Sequence, residues 1–168
     1  MLVLKEFNVN DKEKEYAYLK TLPSDENGFE NKYHNISLEE FENNVVDALL
    51  KESQGIDLQP GYVRQTLYFL WDDDQIVGLF KFRHYLNDYL RNGAGHIGYG
   101  ISSKYRGKGY GTKGLKLLIE LVKDSIEEDE LYLSVHRDNP ASLKVQINNG
   151  AYIHHSDEKE HYTRIKVR

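Results

Sequence analysis

The chain has 168 residues, no cysteine and a formal charge of −5. The length suits a single domain, 1–168, whose core needs no staples, and the missing thiols exclude disulfides, thiolate metal sites and a cysteine nucleophile. The acidic balance argues against a nucleic-acid partner, no apolar run approaches the roughly 18 residues of a membrane span, and a cysteine-free chain without a secretory leader is expected in the cytoplasm.

Met1 to Phe7 reads as a first strand. Asn10 with Glu13 makes a capping-box pattern ahead of a short helix carrying Tyr16 and Leu19. Ser37 with Glu40 makes another ahead of Phe41, Val45, Ala48 and Leu49. Between the two, Leu22 to Ile36 contains Pro23 and Asn27-Gly28 and is expected to be a loop. Val63 to Trp71 and Gln75 to Tyr85 are β-rich runs split by Asp72-Asp73-Asp74, a hairpin pattern. Asn92-Gly93 then turns the chain into a strand from His96 to Ser102. Three strands joined by such short turns are antiparallel neighbours, because a parallel crossover needs about a dozen residues. Leu115, Leu118, Ile119, Val122 and Ile126 mark one face of the next helix, and Leu131 to His136 is a strand. Asn139 and Pro140 start a helix that Gly150 ends. Ala151 to His155 and His161 to Val167 read as a closing hairpin.

The densest signal is Arg106-Gly107-Lys108-Gly109-Tyr110-Gly111, between a strand and a helix. A glycine-dense turn opening a helix aims several N–H groups and the positive helix end at one anion. A Walker A loop is excluded, since no Gly-Lys is followed by serine or threonine. Gly109 to Gly114 is a literal G-x-G-x-x-G, but the acids Glu127 to Glu130 precede the following strand instead of ending it, and antiparallel strands upstream do not suit a dinucleotide fold. A second match, Gly93 to Gly98, precedes a strand and is a decoy.

Arg106 to Gly111 matches the [Q/R]-x-x-G-x-[G/A] cofactor motif and resembles the GNAT superfamily of N-acetyltransferases. Gly98-Tyr99 before the turn and Asn139-Pro140-Ala141-Ser142 followed by Gly150 resemble its ribosomal-protein-acetylase-like branch (RimJ/RimL type). The resemblance implies an α/β (α+β) fold with a mixed, mostly antiparallel sheet of about six or seven strands and about four helices. It also implies acetyl-CoA as donor, an amine acceptor and direct attack of the amine on the thioester. In that pattern the N–H groups of Gly107 to Thr112 hold the pyrophosphate, and the backbone of Ile101, Ser102 and Ser103 pairs with the pantetheine arm. Arg106, Lys104 and Lys108 meet phosphates, while Asn139 and Ser142 touch the arm. Gly107, Lys108, Gly109, Tyr110, Gly111 and Thr112 are thus cofactor-binding candidates; no metal is expected, and relatives commonly form homodimers.

Strand alternation puts His96, Gly98 and Gly100 on one face, so something packs closely there, either the acyl group or a bulky helix residue. His96 is the candidate general base, with an unperturbed pKa of about 6.5. Many relatives place a proton-donating tyrosine where this chain has Gln146, so no acid is assigned; Ser134 is a weak candidate, beside Tyr132 and Tyr152. The region from Asp11 to Gly61 would shape the acceptor site. Asp25, Glu26, Glu30, Glu39 and Glu40 suit a cationic amine, whereas the branch resemblance favours a protein N-terminus. His154, His155 and His161 with Asp157 and Glu158 read as hairpin surface instead of a metal site. A CoA-binding regulatory protein and a dinucleotide-binding module are the competing classes.

Overall fold

The computed structural model describes residues 1–168. In chain order it contains β1 (Leu2–Glu6), α1 (Lys12–Thr21), β2 (Asp25–Glu26), β3 (Phe29–Glu30), α2 (Leu38–Glu40), α3 (Val46–Gln54), β4 (Gln65–Asp72), β5 (Gln75–Arg83) and α4 (Asp88–Arg91). There follow β6 (Ile97–Ile101), α5 (Tyr110–Val122), β7 (Glu130–His136), α6 (Pro140–Asn148), β8 (Tyr152–Ser156) and β9 (Glu160–Lys166). A π-turn over Phe41–Val45 joins α2 to α3. The longer helical runs are therefore α1, α2 with α3, α5 and α6, as the family resemblance implies.

Seven strands form two sheets, in the orders β1-β4-β5-β6 and β7-β9-β8, with every pairing antiparallel. A Gly95–Leu133 bridge and the His96 N–H donating to the Tyr132 carbonyl, 2.7 Å, join them. Beyond that junction β6 and β7 share no ladder, which leaves a gap between the sheets.

The interior strand β4 is apolar on both faces because both are covered. Leu67, Phe69 and Trp71 pack with Leu19, Phe41 and Leu49 from α1, the π-turn and α3. Tyr68 and Leu70 pack with Leu115 and Leu118 of α5 and with Leu131 and Leu133 of β7. Helix α5 approaches the first sheet closely: a Cβ at Gly114 would lie 2.5 Å from Phe80 Cζ. The glycine turn is thereby fixed over the end of β6.

Local structure corrects three expectations. The first cap is Asn8, whose side chain accepts from the Asp11 N–H at 3.0 Å; Asn10 lies inside the 3-10 turn that follows. Leu22 to Ile36 contains the β2–β3 hairpin, turning at Asn27 and Gly28 with φ of 55° and 85°, the left-handed pair that two-residue hairpins favour. Asn87 caps the short helix α4, accepting from Leu90 N–H at 2.9 Å ahead of Asn92-Gly93. The Ser37 and Asn139 caps form as read, accepting from Glu40 N–H at 3.1 Å and Ser142 N–H at 3.3 Å.

Candidate active site

Gly107 and Gly109 take φ of 76° and 81°, which bends the chain tightly into α5. No side chain caps α5, and backbone bonding resumes where Lys113 N–H donates to the Gly109 carbonyl at 3.1 Å. The six N–H groups from Gly107 to Thr112 have no protein acceptor. A Cβ at Gly107 would meet nothing within 4 Å, so the approach to these donors is open. All but Lys108 border a cleft of 480 Å³ whose far wall is α6, with Asn139, Ser142 and Val145. These residues fit a pyrophosphate at a helix N-terminus.

Of the other cofactor candidates, Ile101, Arg106, Gly107, Gly109, Tyr110, Gly111, Thr112, Asn139 and Ser142 line this cleft. Ser102, Ser103 and Lys108 do not line it. Ser102 is buried, and its N–H donates to the Tyr18 phenol oxygen at 3.2 Å. Arg106 Nε donates to the Ile101 carbonyl at 3.0 Å, and its guanidinium pairs with Glu26 of β2. The backbone positions expected to receive the pantetheine arm are therefore already engaged at Ile101 O and Ser102 N.

A larger cleft of 1090 Å³ lies between the β2–β3 hairpin, β5, α4 and the end of β7. The two clefts meet at a neck formed by Glu26, Asn27, Phe29, Tyr99, Asn139 and Ser142, which line both. At the neck the Tyr99 hydroxyl bonds Ser142 Oγ at 2.7 Å and donates to the Ser142 carbonyl at 3.0 Å. Burial pushes the Tyr99 phenol pKa up, and the Ser142 hydrogen bond opposes this. Sequence reasoning used Tyr99 only as half of a Gly-Tyr signature. What it lacked was the fold that lays the β6 side chain across the gap to α6.

The hairpin also answers what covers the bare glycines. The Phe29 ring does, with a Cβ at Gly100 3.2 Å and one at Gly98 3.7 Å from its carbons. A bulky residue fills that face, and it comes from a hairpin instead of a helix; the acyl group does not have this space. The hairpin tip reaches β7, where a Cβ at Gly28 would lie 2.7 Å from His136 Nε2.

His96 does not reach either cleft. It is wholly buried at the sheet junction, where Tyr132 N–H donates to Nδ1 at 2.9 Å and Nε2 lies 3.0 Å from Glu128 Oε1. Since Nδ1 accepts, the neutral ring carries its hydrogen on Nε2 and donates it to Glu128. Burial pushes the His96 pKa down, more than Glu128 raises it. Both ring nitrogens are committed, so the expected base is a junction residue. Gln146 is likewise structural: its Nε2 donates to the Ser134 carbonyl at 3.3 Å and its Oε1 accepts from Thr163 at 2.6 Å.

Ser134 lines the larger cleft together with His136, two residues along β7 on the same face. His136 Nε2 lies 3.8 Å from Glu160 Oε1. Tyr132 and Tyr152 line neither cleft; Tyr132 stacks under the Arg164 guanidinium at 3.7 Å, and Tyr152 donates to Glu130 at 2.5 Å. No helix is long and apolar enough to cross a membrane.

A family model described as an acetyltransferase (GNAT) domain matches residues 4–151. No curated protein matches the chain in sequence. Among solved structures, a GNAT-family acetyltransferase from Streptococcus pneumoniae is 18% identical at a TM-score of 0.64, covering 98% of this chain and 97% of its own. A ribosomal-protein-S5-alanine acetyltransferase from Vibrio fischeri is 14% identical at 0.69, covering 98% and 92%. A spermidine N-acetyltransferase from Vibrio cholerae, solved with CoA and spermine, is 13% identical at 0.60, covering 98% and 95%. At these identities the structures share the fold, and the model match adds the family. With the glycine turn opening α5 and the cleft beside it, the chain belongs to the GNAT acetyltransferase family.

Proposed function

We propose that the protein transfers an acetyl group from acetyl-CoA to the nitrogen of an amine, and that transfer occurs at the neck between the two clefts. The observation that carries this is the run of six acceptor-less N–H groups from Gly107 to Thr112, five of whose residues line a cleft that shares six wall residues with a second, larger one. Two diphosphate oxygens bound there satisfy donors that otherwise face water, with the α5 dipole adding to the attraction. Arg106 then exchanges Glu26 for phosphate. The pantetheine arm runs along α6 past Asn139 and Ser142 and delivers the thioester beneath Tyr99. Residues Gly98-Tyr99 and Asn139 to Ser142 support membership of the ribosomal-protein-acetylase-like branch.

His136, lining the acceptor cleft beside Glu160, takes the ammonium proton before attack. The C–N bond forms at the carbonyl carbon as the C–S bond breaks. The sulfur leaves as thiolate and acquires a proton from the Tyr99 phenol, replaced by the proton shed from the new amide nitrogen through Ser142 and water. Gln146 cannot donate this proton, and Tyr99 stands in the neck where the leaving sulfur emerges.

Thiol release from acetyl-CoA across an amine panel tests the activity. Tyr99→Phe is expected to lower kcat by about 10²-fold with the KM for acetyl-CoA little changed. A Tyr99→Phe protein with wild-type kcat removes the phenol from the mechanism, and no thiol release with any amine defeats the transferase reading.

A further inference from the structure

The floor of the larger cleft carries two cations with no carboxylate in direct contact. β5 is an interior strand, and the face that holds the fully buried Leu79 continues two and four residues later with Lys81 and Arg83. Phe80 and Phe82 alternate with them into the core. Lys81 Nζ donates to the Glu30 carbonyl at 2.6 Å and lies 4.7 Å from the centre of the Phe29 ring. Arg83 Nη1 donates to the Gly95 carbonyl at 3.2 Å. Each contact is with a neutral partner, and no carboxylate oxygen comes within 4.0 Å of either head group.

The acids around the same cleft are occupied or distant. Glu26 is taken by Arg106, Glu160 faces His136, and Glu30 and Asp88 are exposed at the rim. Glu52 of α3 is the one inner carboxylate, and burial pushes its pKa up against the pull of Lys32, Lys81 and Arg83. Three cations thus converge with two carboxylates, Glu52 and the rim residue Glu30, neither of them in contact with Lys81 or Arg83. Burial, then the charge of Arg83, push the Lys81 ammonium down to about 8. Holding unpaired cations on an inner strand face costs stability, and a bound anion removes that cost.

We propose that Lys81 and Arg83 bind an anionic group, carboxylate or phosphate, carried by the amine acceptor. This rests on the transfer reading above and narrows it: the acceptor's nitrogen points to the neck and its anion lies on β5. The guanidinium supplies a two-pronged donor and the ammonium a point charge, a pair suited to either group. The cationic acceptor expected from the acidic stretch is disfavoured, because Asp25, Glu39 and Glu40 do not line the cleft, Glu26 is neutralised, and Glu30, which does line it, lies exposed at the rim.

Calorimetric titration of the free and the CoA-loaded protein with matched probes tests this: alanine against alaninamide for carboxylate, O-phosphoethanolamine against ethanolamine for phosphate. The anionic member of at least one pair is expected to bind about 10-fold tighter or better, and which pair does so identifies the group. The doubly substituted protein, Lys81→Gln with Arg83→Gln, is expected to lose the gap, and Arg83→Lys to keep part of it. Equal binding within both pairs, no binding of either anionic probe, or a gap that survives the double substitution overturns the inference. A protein that binds the anions but not acetyl-CoA keeps this inference and loses the transferase reading. One that binds acetyl-CoA and ignores probe charge does the reverse.

Discussion

Glu15 shows how far one side chain's setting departs from its sequence appearance. It sits in the charged run Lys12-Glu13-Lys14-Glu15 yet is wholly buried, with Oε2 accepting the Asn8 N–H at 3.1 Å and Oε1 without a partner. Burial raises its pKa from 4.5 to about 8. Between those values the unfolded chain has released the proton and the folded protein still holds it, so stability falls as pH rises through that window. Glu15→Gln is expected to raise Tm by several degrees at pH 8, on the order of 1–2 kcal/mol, and to change little at pH 4. An unaltered Tm at pH 8 contradicts the assignment. The two histidines on the β6 and β7 sides separate in the same manner. His96→Ala removes the partner of Tyr132 N–H and of Glu128 Oε1 at the sheet junction and is expected to cost about 2–4 kcal/mol without reshaping the pH profile of kcat/KM. His136→Ala is expected to leave Tm within a few degrees and to lower kcat by about 10²-fold. The converse pattern restores His96 as the base. Nothing in the sequence distinguished them, because whether a strand histidine faces a cleft or a neighbouring sheet depends on a junction between residues 36 apart.

At the scale of elements, the β2–β3 hairpin is the piece that sequence reading treated as loop. Two strands of two residues leave no alternation to read, and only Asn27-Gly28 hints at the turn. Yet it supplies Phe29 over Gly98 and Gly100, packs Gly28 against His136 and ties Glu26 to Arg106. Under the proposed donor binding, the Glu26–Arg106 pair competes with CoA phosphate for the guanidinium. Glu26→Gln is therefore expected to tighten acetyl-CoA binding about 2- to 5-fold, the size of a partly exposed ion pair, measured as Kd by calorimetry. Weaker binding in this variant would place Glu26 among the residues that support the cofactor. By contrast the starts of α5 and α6 were legible, since their signals are local: glycines before Tyr110, and Asn139 with Pro140; Ile126, expected on the α5 face, lies beyond the helix end at Val122.

For the whole molecule, the antiparallel order β4-β5-β6 followed from turn lengths, and the family motif marked the glycine turn. The division into two sheets was not legible, because β6 and β7 are each ordinary strands and the missing ladder between them leaves no mark on composition. That gap is where Tyr99 meets Ser142, between the 480 Å³ cleft and the 1090 Å³ one. In the proposed mode of binding, the free N–H groups from Gly107 to Thr112 hold the donor by its pyrophosphate. Titration of the protein with acetyl-CoA and with acetyl-pantetheine, which keeps the thioester arm and lacks the pyrophosphate, tests it most directly. Micromolar-range binding of acetyl-CoA and a loss of about 10²-fold or more for acetyl-pantetheine is the expected result. Equal affinity for the two, or no binding of acetyl-CoA, contradicts it.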